Sequence, residues 1–128
     1  MLIPIIGLLI GCLTAFLFPW SINPSYSVYV AIAILAALDS VLGGVSANLN
    51  KKFSMIIFLS GFFCNALLAA FIIFLGEKLG LDLYVAVVVV FGTRLFQNFA
   101  IIRLHYVDKY TKKHEQISID EITPENPS

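Results

Sequence analysis

Long apolar runs divided by short polar breaks set the pattern of this chain. The first, residues 2–18, ends at "PWSINPS". There Pro19 and Pro24 interrupt a helix, and Trp20, Tyr26 and Tyr29 suit a membrane–water boundary. Three more runs follow at residues 26–45, 53–75 and 83–102. Each is close to the ~20 residues that carry a helix across a bilayer. "GEKLGLD" separates the last two as a polar turn with glycines on both sides of "EKL". Beyond Arg103 the composition changes to "HYVDKYTKKHEQISIDEITPENPS". Its first part extends the fourth helix, and its last ten residues or so read as disordered. The pattern therefore predicts an all-α integral membrane protein. Four transmembrane helices form a small bundle within residues 1–107, and residues 108–128 form a polar tail.

Composition turns that pattern into a class. Hydrophobic residues make up 59% of the 128 and charged residues only 12%, against about 25% charged in an ordinary soluble domain. A chain this short cannot bury four such runs in one soluble core. Net charge is zero, so no basic field points to nucleic acid. Cys12 and Cys64 both fall inside apolar runs and read as free packing residues. His105 and His114 lie in the tail, far along the chain from either cysteine, so neither a metal nor another cofactor is expected.

The placement of Lys and Arg predicts orientation. Lys51 and Lys52 occupy the second-to-third connection, and Arg103, Lys109, Lys112 and Lys113 follow the fourth run; Lys78 alone flanks the other side. Four spans put the central connection and both termini on one face, which the positive-inside rule makes cytoplasmic. A multi-pass membrane protein is the result, with the lipid bilayer as its first partner. A lipoprotein reading of "LIGC" at 9–12 fails because no positive charge precedes it and the apolar run continues through "LTAFLF". Gly7, Gly11 and Ala15 instead form a small-residue stripe on a packed span.

Polar residues inside the runs are the candidate chemistry. A lone charge near the bilayer centre costs about 2.5 to 3.5 kcal/mol on insertion scales, so Asp39 and Arg94 are expected to pair. Asp39 lies six residues before Val45 and Arg94 eight before Ile102, or ~9 and ~12 Å from the same boundary. Gln97 and Asn98 share a helix face with Arg94. Ala36 and Gly43 flank Asp39 at helical spacing, and Ala36, Ser40 and Gly44 form a neighbouring row. Gly61, Asn65 and Ala69 repeat the motif on the third run, with an amide between two small residues. The intramembrane cluster is thus Asp39, Ser40, Asn65, Arg94, Gln97 and Asn98. Gly7, Gly11, Ala15, Gly43, Gly44 and Gly61 are the close-packing positions.

Two readings of the cluster compete. It fixes which helices touch, or it marks a path for an ion or substrate. A proton carrier needs a carboxylate that readily gives up its charge, and a guanidinium beside it opposes that. This favours the packing reading. No serine–histidine–aspartate set, paired intramembrane aspartates or phosphate-binding loop is present; "LGGVSANLNKKF" lacks the required GK[ST] ending. The chain is expected to be non-enzymatic and to act through helix contacts with itself, as a homo-oligomer, or with another membrane protein. A small oligomeric channel or transporter is the alternative.

"ALDSVLGGVSANLNKKF", "FLSGFFCNALLAAFI" and "LGEKLGLDLYVAVVVVFGTRLFQNFAIIR" together resemble the small basic protein family over residues 1–103. Members are small bacterial four-span membrane proteins of unknown activity, often encoded in cell-division gene clusters. The resemblance rests on LDS-x-x-GG, GF-x-x-N and FG-x-R-x-F-x-N. It maps the family's polar positions to Asp39, Ser40, Gly43, Gly44, Asn65, Arg94 and Asn98. It implies a plasma-membrane protein linked to cell division or envelope assembly. The chain departs from the family in being neutral, because its acidic tail cancels its basic residues.

Overall fold

A computed structural model describes residues 2–18 and 21–123. Pro19, Trp20, Glu125 and the rest of the last five residues lie outside the described part. Four helices follow one another: α1 (Leu2–Leu17), α2 (Pro24–Leu49), α3 (Met55–Leu79) and α4 (Tyr84–Ile122).

Local chemistry explains where most of them begin and end. Asn23 caps α2 by accepting the Ser25 N–H at 3.0 Å, and Pro24, which has no N–H to leave unpaired, takes the first turn. Lys51 adopts the left-handed conformation, φ 57°, where the chain reverses towards α3. At the far end of α3, Gly80 takes φ 68°, and the Leu81 N–H closes on the Gly76 carbonyl at 2.9 Å. That is the Schellman closure that satisfies a helix's last carbonyls. A Cβ on Gly76 would lie 2.7 Å from the Leu81 oxygen, so both glycines of "GEKLG" serve one turn. Glu77, Lys78 and Leu79 are therefore helical and the turn falls later than the sequence predicts.

α2 is the central element. It packs most extensively on α4 and next on α3, whereas α3 and α4 touch less and α1 barely meets α2. The buried centre consists of Ile32 and Ala36 from α2, Ala69 and Ile73 from α3, and Val87 and Phe91 from α4. Tyr29 donates its hydroxyl proton to Glu77 Oε2 at 2.9 Å, tying α2 to α3 at the end opposite Lys51 and Lys52.

Three helices, α2, α3 and α4, are long and apolar enough to cross a membrane. α1 has 16 residues, or ~24 Å of helix, less than the ~30 Å hydrocarbon layer. The expectation that α1 is a packed span does not match its contacts: it buries no residue, and a Cβ on Gly7 or Gly11 would have nothing within 4 Å. α4 continues without a break to Ile122. The first four of the last ten residues are therefore helical rather than irregular, supported by good helix formers and a Gln116–Asp120 side-chain hydrogen bond one turn apart.

Candidate functional site

The centre of the molecule is polar where three helices meet. Asp39, on the face of α2 that also carries Ala36, has no exposed surface. Small neighbours allow this, since Ala36, Gly43 and Gly44 let adjoining helices come close to the α2 backbone. Across the gap, Arg94 Nη2 of α4 lies 3.1 Å from Asp39 Oδ2. The guanidinium side chain keeps 45% of its surface, against none for the carboxylate. No donor is aimed at either Asp39 oxygen. The contact is an ion pair without an aligned hydrogen bond, held by charge in a poorly hydrated setting.

A cavity of about 250 Å³ opens beside this pair, between α2 and α3. Ser40, Asn65 and Arg94 line its inner part, and Lys52 and Ser54 line the end nearest the α2–α3 connection. A second cavity of about 240 Å³ lies between α3 and α4, with apolar walls from Leu68, Ile72, Val87 and Phe91. Asn65 and Arg94 line both. Loose packing between α3 and α4 leaves the second cavity open.

The structure thus brings Asp39, Ser40, Asn65 and Arg94 to one place. Asn98 belongs beside them but does another job: its Nδ2 lies 3.5 Å from where a Gly43 Cβ would be, so it fills the space that glycine leaves. Gln97 is exposed and lines neither cavity. Gly44 is buried in α2, while Gly61 lines the first cavity with nothing within 4 Å of an added Cβ. Cys12 and Cys64 are both free and exposed.

Sequence reasoning missed two polar cavity residues, Lys52 and Ser54. Lys52 entered only as an orientation charge, although "NKKFS" places it, with a helix-starting serine, one turn from the next span. The Tyr29–Glu77 link was also missed, because Tyr29 read as an interfacial aromatic.

An all-helical chain with three membrane-length apolar helices and a central ion pair built on a buried carboxylate defines a class of small, apolar helical proteins. Residues 22–107 match the family described as a protein of unknown function, DUF1290. The chain is 43% identical over 111 residues to the small basic protein of Bacillus subtilis (strain 168), covering 87% of this chain and 92% of that one. Uncharacterized proteins of Mycobacterium bovis and Mycobacterium tuberculosis are 36% identical over 104 residues, covering 80% of this chain and 86% of each relative. The chain belongs to the small basic protein family. No solved structure matches it.

Proposed function

We propose that this is a non-enzymatic multi-pass protein of a bacterial plasma membrane that works through helix contacts with a second copy or another membrane protein. α2, α3 and α4 cross the bilayer, α1 crosses as a short span with local thinning, and both termini are cytoplasmic. The resemblance to a family often encoded in cell-division gene clusters supports division or envelope assembly as the process it serves.

The observation that carries this reading is the outward polar face of α4. Gln97 is exposed one helical turn from the half-exposed Arg94, and its amide makes no hydrogen bond among the described residues. Lipid tails offer it no partner, and an unpaired amide in hydrocarbon costs a few kcal/mol. A facing helix that supplies partners removes that cost. In-membrane cysteine crosslinking tests it: positions flanking Gln97 on the same face link to another chain, and those on the opposite face do not. Only monomer at every position rejects the proposal.

The alternative, a small channel or transporter, draws on the two cavities that meet at Asn65 and Arg94. Flux of protons, fluoride or organic cations through reconstituted protein, abolished by Asp39→Asn, would establish it in place of the contact reading.

A further inference from the structure

The geometry points to a binding site for a small oxyanion, a phosphate or anionic phosphate headgroup, in the cavity between α2 and α3, entered past Lys52 and closed by Arg94. Polar groups lining this cavity are mostly donors. Lys52 stands at its mouth, Ser54 begins α3 beside it, and Ser40, Asn65 and Arg94 line the inner part. The one acidic lining residue, Asp39, has no exposed surface and its charge is offset by Arg94, so Lys52 leaves the lining with one net positive charge. Its role is to hold Arg94: one guanidinium nitrogen approaches the carboxylate at 3.1 Å while 45% of the side chain stays open. Arginine carries five N–H donors in a planar fork. The edge turned away from Asp39 is free to grip an oxyanion in bidentate fashion.

The mouth adds to the same field. Ser54 makes no side-chain cap, and no acidic residue occupies the first turn of α3. The unpaired N–H groups of that turn therefore carry the positive end of the helix dipole towards the opening. Lys52 has no carboxylate within ion-pair distance among the described residues. From Ser54 to Asn65 the cavity follows three turns of α3, ~16 Å, and 250 Å³ is ample for a phosphate group.

The test uses the full chain in nanodiscs, with Cys12 and Cys64 replaced by alanine and Ser40→Cys as the reporter. A water-soluble, membrane-impermeant thiol reagent modifies Ser40→Cys much faster than the control Ser60→Cys, which lies on the lipid-facing surface of α3 outside both cavities. In phosphatidylcholine, inorganic phosphate slows the modification severalfold at an ionic strength held with chloride. Lys52→Gln raises the phosphate needed by about tenfold, and Lys51→Gln, one residue away and outside the cavity, leaves it unchanged. Should a lipid headgroup be the occupant, phosphatidylglycerol nanodiscs show the slow rate without added phosphate. Ser54→Cys serves in the same way if Ser40→Cys fails to accumulate. The site is refuted if the reporter reacts no faster than Ser60→Cys. It is equally refuted if neither phosphate nor phosphatidylglycerol slows the reaction, or if the two lysine variants behave alike.

Discussion

Asp39 and Arg94 show how strongly a low-dielectric setting constrains single residues. An unpaired buried charge costs about 3 to 5 kcal/mol when its partner is removed, so Asp39 tolerates full burial only beside its guanidinium. Asp39→Arg or Arg94→Asp alone therefore sharply lowers accumulation of folded protein, while the double exchange restores part of it. Quantitative immunoblotting of the membrane fraction reads this, and no recovery means the pair does not hold the helices together. Gly76 makes the second residue-scale case. Alanine there forces a Cβ to 2.7 Å from a backbone oxygen and 3.0 Å from the Leu83 side chain, overpacking that costs about 1 to 3 kcal/mol. Gly61→Ala meets nothing within 4 Å and leaves the unfolding midpoint in detergent unchanged or slightly raised. A Gly76→Ala midpoint equal to that of Gly61→Ala contradicts the turn geometry.

Among the elements, α2, α3 and α4 were legible because membrane-length apolar runs carry a strong signal, and counting residues from the span ends brought Asp39 and Arg94 to within ~3 Å in depth. The cavity was not legible. It arises where small residues on α2 and α3 leave space that no third side chain fills, and sequence periodicity reports which face is small without reporting whether it is filled. The same limit explains α1, whose Gly7, Gly11 and Ala15 stripe resembles an internal packing seam yet faces outward in the structure. An outward stripe has a use if a second copy packs there, its backbone approaching closely over the glycines. On that reading Gly11→Leu leaves the chain's own unfolding midpoint unaltered, since no described residue lies within 4 Å of a Cβ there, and severalfold weakens oxidative crosslinking through the neighbouring Cys12. Undiminished crosslinking removes α1 from the interface.

Seen as a whole, the molecule is a small helical body extended by a rod. α4 has 39 residues, ~58 Å of helix, and every described residue from Arg103 onward is exposed. The family match ends at residue 107, so most of the rod lies beyond the part that the family model covers. Charge divides at the same place: residues 1–107 carry five Lys and Arg against three Asp and Glu, and residues 108–128 carry three against five. The neutral total hence combines a basic apolar part with an acidic extension. Because every described residue of the rod is exposed, removing residues 108–128 takes away no tertiary contact among the described residues. Surface changes of this kind fall within about 0.5 kcal/mol. The truncated chain should accumulate in the membrane at the level of the full chain and unfold at the same midpoint. The proposed orientation should also persist, because Lys51, Lys52 and Arg103 remain to be set on one side against Lys78 on the other. A protease shaved over intact cells and over inverted vesicles reads orientation through the Lys51–Lys52 connection in both forms. Loss of accumulation on truncation, with the spans themselves intact, would mean that the rod is held by a partner and that the protein's contacts extend ~28 Å beyond the membrane-facing helices.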